Sequence, residues 1–157
     1  GFVTLPDERF DTFPLMEDQL VALLPLAHPL TKKNAVTLEE LCASPFAMTR
    51  AGSEDIIGGL FRALRLQPNI RWRSLQLVST IAAVARGEAV SIVAESALPP
   101  DKAQGYVKKP LRPAARRQVA LATPDARRMS PAAREFIRMA QEAFPHPAQS
   151  TARPAKR

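Results

Sequence analysis

The chain has 157 residues, 46% of them hydrophobic and 24% charged, which is ordinary for a globular protein and enough for one domain with a real core. No apolar run reaches membrane-spanning length and no signal peptide is visible, so no membrane contact is expected and a cytoplasmic setting fits best. The single cysteine, Cys42, excludes an internal disulfide and offers no metal cluster. The net charge of +7 is uneven: residues 1–101 carry 9 Lys/Arg against 12 Asp/Glu, and residues 102–157 carry 13 against 3. The excess lies in the basic pairs at 108–109, 116–117 and 127–128 and in the ending STARPAKR. A solvated basic face with a disordered tail explains this better than nucleic-acid contact does.

In chain order, residues 2–5 (FVTL) predict a strand, 6–14 a loop, and 20–26 (LVALLPL) a second, buried strand. Thr37 is placed to cap a short helix over LEELCA. PFAMT at 45–49 predicts a strand. A helix follows over 53–66, where Ile56, Ile57, Leu60, Phe61 and Leu64 share one face. Gly58 and Gly59 each weaken that helix by up to about 1 kcal/mol relative to Ala. NIRWRS at 69–74 alternates Ile70 and Trp72 with arginines, as a strand with one wetter face does.

Residues 74–94 carry the densest signal. Ser74 stands where an N-cap is expected, and Leu75, Val78, Ala82 and Ala85 recur at helical spacing beside Leu77, Ile81 and Val84. Gly87 fits a left-handed C′ residue, and Ala89–Ala94 reads as an inner strand of a parallel sheet. YVKKPL then crosses back, and RQVALATP at 117–124 predicts another strand. Ser130 and Pro131 start a last helix with Ala133, Phe136, Ile137, Ala140 and Phe144 inward. From Pro145 the composition is that of a disordered tail. The alternation of strands and helices is an α/β pattern with parallel crossovers. Residues 20–106 read as one compact unit, with 1–16 and 110–144 as parts of a second, forming a two-lobed clamp with two crossing segments.

In such sheets ligands bind beyond the carboxyl ends of strands, where helices begin. Three such ends converge here: Thr49, Arg50 and Ser53; Ser74, Leu75 and Gln76; and Ala94 with Glu95. Two of them lead into helices, whose free N–H groups suit an anion, and Arg50 could clamp a carboxylate. Glu54 and Asp55 compete for the first of these helix ends, which favours the one at 74–76. Thr49, Ser53 and Ser74 also serve as helix caps on this reading. His28 lies in a turn and reads as structural, Cys42 as buried and inert, and Trp72 and the phenylalanines as core. No phosphate-binding glycine loop, metal motif or nucleophile elbow appears, so no catalytic residue, metal or cofactor is expected.

The ordered set LVALLPLAHPL, then VTLEEL with PF soon after, then RAGSEDIIGGLFRALRLQPNIRWRSLQLVSTIAAVARGEAVSIVAESAL, resembles the effector-binding domain of LysR-type transcriptional regulators. LRPAARRQVALATP and SPAAREFIRMAQ resemble the same family's final strand and helix. Two departures stand out: the family often has a glycine where Ala89 stands and a proline where Ala94 stands. The resemblance implies an α/β, periplasmic-binding-protein-like two-lobed domain with lobe II complete and lobe I partial. Residues 1–16 would belong to lobe I, 17–109 form lobe II, 110–144 return to lobe I, and 145–157 form the basic tail. It further implies a sensor that binds a small, anionic effector between lobes, controls transcription as a homo-oligomer, and meets DNA only through an N-terminal winged helix-turn-helix absent from this chain, which begins GFVTLPDE. A solute-binding protein of a transport system, using the same clamp, is the alternative. An enzyme is not expected.

Overall fold

The structure, a computed structural model, describes residues 1–5, 7–50, 53–99 and 105–144. The expected tail at 145–157 lies outside the described residues. Its strands are β1 (Phe2–Leu5), β2 (Asp11–Pro25), β3 (Pro45–Thr49), β4 (Asn69–Ser74), β5 (Ser91–Ala94) and β6 (Tyr106–Thr123). Its helices are α1 (Leu38–Cys42), α2 (Glu54–Ala63), α3 (Leu77–Ala85) and α4 (Pro131–Ala143). The chain divides into two units: unit 1 holds Gly1–Glu17 and Gln118–Arg157, and unit 2 holds Asp18–Arg117. Both long strands, β2 and β6, run from one unit into the other.

Unit 2 is built on apolar strands that need cover on both faces. β2 pairs antiparallel with β5, Leu20 opposite Ala94 and Leu23 opposite Ser91. β3 pairs parallel with β4 and ends with Thr49 opposite Ser74. A parallel bridge between Phe46 and Val90 joins β3 to the chain entering β5, through Ala47 N–H to the Val90 carbonyl at 2.8 Å. The segment read as an inner strand of a parallel sheet therefore has one parallel and one antiparallel neighbour. Continuous apolar character reports burial on two faces, not strand direction. The larger core cluster gathers Leu20, Leu24, Leu41, Phe46, Ile57, Phe61 and Ile92, with the Phe46 and Phe61 rings edge-to-face at 5.5 Å. A second cluster packs Val84 of α3 against Val21, Leu23 and Val93.

Local chemistry sets the ends of these elements. Thr37 forms a capping box with Glu40: its hydroxyl accepts the Glu40 N–H, while the Glu40 carboxylate accepts the Thr37 N–H at 2.9 Å. His28 Nδ1 accepts the Leu30 N–H at the start of a short 3-10 turn, and Nε2 lies 3.0 Å from Ser44 Oγ. Burial lowers the His28 pKa and raises that of half-buried Cys42, the latter with help from Glu39. Gly87 has φ +80° just beyond the Arg86 C-cap, a left-handed position that Gly takes without steric penalty. Ser74 is not the cap of α3. That position is Gln76, and the Ser74 hydroxyl makes a local turn instead, accepting the Gln76 N–H at 3.1 Å.

Unit 1 pairs β1 antiparallel with β6, Phe2 opposite Leu121 and Leu5 opposite Gln118. Two expectations shift here. β2 starts at Asp11, inside the expected loop, and the expected crossing segment and final strand are one continuous β6. Polar residues such as Glu17, Asp18 and Arg117 suggest breaks, but a strand passing between units can keep its ladder while its side chains change surroundings. Ser130 caps α4 as expected, accepting the Ala133 N–H at 3.2 Å. The helix buries none of its residues, however, and Phe136 and Phe144 are exposed rather than inward. Trp72 of unit 2 is also half exposed rather than core.

Candidate functional site

Within unit 2 the carboxyl ends of β3 and β5 open on a pocket of about 210 Å³. Thr49 is the last residue of β3, Ser53 precedes α2, and Leu77 begins α3. Ile92, Val93 and Ala94 enter from β5, Ala97 from the turn after it, and Arg117 from β6. Thr49, Ser53 and Ala94 are thus brought together as expected. Arg50, Ser74, Leu75, Gln76 and Glu95 do not line this pocket. Arg50 is exposed and paired with Glu54 at 3.3 Å, and its N–H donates to the Ser74 carbonyl. Leu75 is 73% exposed, and Glu95 pairs with Lys108.

Buried polar groups define the pocket's character. Thr49 Oγ1 lies 2.7 Å from Thr80 Oγ1 of α3, and both side chains are buried. Ser53 is only 8% exposed, yet it makes no side-chain cap hydrogen bond at the start of α2. Groups buried this far normally have partners, and the Ser53 hydroxyl has none among the described residues. Arg117 is held by Asp18: Nε and Nη2 donate to Oδ2 at 3.1 and 2.9 Å. Asp18 also accepts the Ser96 N–H at 3.1 Å and the Ser96 hydroxyl at 2.6 Å.

Arg117, Asp18, Thr80, Leu77 and Ala97 were not among the residues expected from sequence. One signal was present: Asp18 and Arg117 each stand two residues before an apolar run, at 20–26 and 119–122, and a charge in a buried strand requires a partner. A larger, more open groove of about 400 Å³ between α2 and β4 includes Glu54, Arg62 and Arg73. Its Glu54 and Arg73 already form an ion pair, and none of the β5 residues lines it.

The family described as LysR substrate binding domain matches residues 1–145. The chain belongs to that family. This LysR substrate-binding domain is 28% identical over 147 residues to the uncharacterized HTH-type transcriptional regulator YvbU of Bacillus subtilis, covering 92% of this chain and 50% of that protein. It therefore spans about half the length of that relative. Among solved structures, the effector binding domain of QuiR in complex with shikimate superposes with a TM-score of 0.81 at 19% identity, covering 91% of this chain and 70% of that one. The regulatory domain of Synechocystis CcmR in complex with 2-PG gives 0.77 at 17%, covering 92% and 72%. HinK, a LysR family regulator from Pseudomonas aeruginosa, gives 0.77 at 24%, covering 91% and 52%. The likeness establishes the α/β, periplasmic-binding-protein-like fold. The family is one of transcriptional regulators, not of enzymes. No helix among the described residues is long and apolar enough to cross a membrane.

Proposed function

We propose that this chain is the effector-sensing part of a LysR-type transcriptional regulator, binding a small metabolite in the pocket where β3 and β5 end and passing the bound state on to transcription. The observation that carries this reading is the buried Ser53 hydroxyl, without a partner among the described residues, beside Thr49 in a pocket at the strand ends whose other walls are apolar except for the ion-paired Arg117. A sensor needs only different affinities in two conformations, not bond-making chemistry. The chain binds rather than catalyses on this reading, works in the cytoplasm, and leaves DNA recognition to sequence beyond these residues. A second copy of the protein is its expected partner. Trp72 (49% exposed), Leu75 (73%) and Val78 (66%) leave large apolar surface in solvent within residues 72–78, where two copies could meet.

The test is a thermal-shift screen of small metabolites against the chain, with hits mapped by amide exchange. A ligand at a hundred times its Kd adds about 2.7 kcal/mol of stability, so a hit should raise Tm by several degrees. It should also protect amides near Thr49, Leu77 and Ala94. Hits that protect only residues elsewhere would overturn the site.

A further inference from the structure

Among the described residues Arg117 is the one cation lining the pocket, and its charge is already neutralised. Its guanidinium gives two hydrogen bonds to a single oxygen of Asp18, whose side chain is 2% exposed against 17% for Arg117. The Asp18 carboxylate is further fixed by the backbone N–H and hydroxyl of Ser96, so it cannot swing away without breaking four contacts. Asp18 and Arg117 are the first and last residues of unit 2, on the two strands that leave it. The α2 end offers little positive potential, because Glu54 and Asp55 occupy its first turn. Beside Thr49 and Ser53, the walls are Leu77, Ile92, Val93, Ala94 and Ala97. At about 210 Å³ the pocket is smaller than the roughly 300–1,000 Å³ that encloses a drug-sized ligand, so it suits a small molecule or one group of a larger one.

We propose that the part of the effector seated in this pocket is uncharged, an apolar group bearing one hydrogen-bonding oxygen or nitrogen, and that Asp18 sets this preference by holding Arg117 in an ion pair. This rests on the pocket being the effector site. A carboxylate entering here would be stripped of water without gaining a free cation, which is unfavourable. A neutral amide or hydroxyl loses less on entry and can reach Ser53 Oγ. Asp18 is thus a specificity-determining residue acting through Arg117. Removing its charge frees the guanidinium and turns the pocket into an anion site.

Two probes of nearly the same shape, cyclohexanecarboxamide and cyclohexanecarboxylate, separate the alternatives. Each is titrated into the chain at pH 7 while the methyl resonances of Thr49, Leu77 and Ala94 are followed by NMR. The parent should bind the carboxamide about fivefold or more tightly than the carboxylate. Asp18→Asn should reverse the order, with carboxylate affinity rising roughly tenfold or more, the scale of a hydrogen bond to a charged group. Ser53→Ala should weaken the carboxamide severalfold with no loss of melting temperature. A parent that prefers the carboxylate, or an Asp18→Asn change that raises both affinities alike, overturns the proposal and leaves the pocket standing as the effector site. If neither probe moves those methyls, the pocket assignment itself falls. Should Asp18→Asn fail to fold, the order of the two probes on the parent decides.

Discussion

The two units handle their apolar residues differently. Unit 2 closes its own core: Leu20, Leu24, Phe46, Ile57, Phe61, Val84 and Ile92 are each at most 1% exposed. Among the described residues of unit 1, the buried apolar side chains are Leu15, Ala120 and Leu121. Phe2, Phe136, Met139 and Phe144 stay about half exposed or more, and α4 is amphipathic with no buried residue. An amphipathic pattern says which face is meant for burial, but only a partner surface buries it. Unit 2 has that surface within 100 residues, from Asp18 to Arg117.

The sharpest way to break this contrast is to remove a large side chain from each unit. Phe61→Ala should cost about 3–5 kcal/mol by urea unfolding, since it deletes a fully buried ring and its contact with Phe46. Phe136→Ala should stay within about 0.5 kcal/mol and reduce aggregation. Similar losses from both would mean that α4 is packed in solution. A smaller effect is expected at the turn between α3 and β5. Gly87→Ala should cost about 1–2 kcal/mol, because φ is +80° while the space around a new Cβ is open. A neutral result would show that the turn relaxes. In amide exchange, β3, β5 and the unit 2 part of β2 should stay protected longer than α4, and equal protection in a monomer would contradict the contrast.

The smallest effect is a pH dependence. Burial lowers the His28 pKa below its ordinary value near 6.5, so folding favours the neutral ring. That contribution is complete above about pH 6.5 and is lost as pH falls through the folded-state pKa. Melting curves from pH 7 to pH 5 should show a decline that is shallower in His28→Gln. Identical slopes would remove His28 from the account.

Much of unit 2 was legible because its signals are local. Thr37 with Glu40, Gly87 after Arg86, and the spacing of Ile57 and Phe61 each depend on residues within one or two turns. The course of β5 was less so, since whether a neighbour runs parallel or antiparallel is decided by distant chain. At the candidate site, the grouping of Thr49, Ser53 and Ala94 at one pocket is readable because strand ends and helix starts follow in order. Arg117 and Asp18 were missed because their pairing spans 99 positions, and a basic doublet at 116–117 reads as solvated surface. Ser74 looked like a cap, but the chain turns for two more residues before α3 begins.

We propose that the effector lies in the pocket at the ends of β3 and β5 rather than at the rim of residues 74–76. Ala97 lines that pocket from an exposed turn, so Ala97→Leu adds bulk to the pocket without disturbing the core. The deciding measurement is calorimetric titration of a metabolite identified by thermal shift, against the parent, Ala97→Leu and the double variant Ser74→Ala/Gln76→Ala, with a melting curve for each. An effector in this pocket should lose at least about tenfold in affinity, about 1.4 kcal/mol, to Ala97→Leu at unchanged Tm, with a much smaller change for the double variant. Full affinity in Ala97→Leu, with binding lost in Ser74→Ala/Gln76→Ala, would contradict it and move the site to the start of α3.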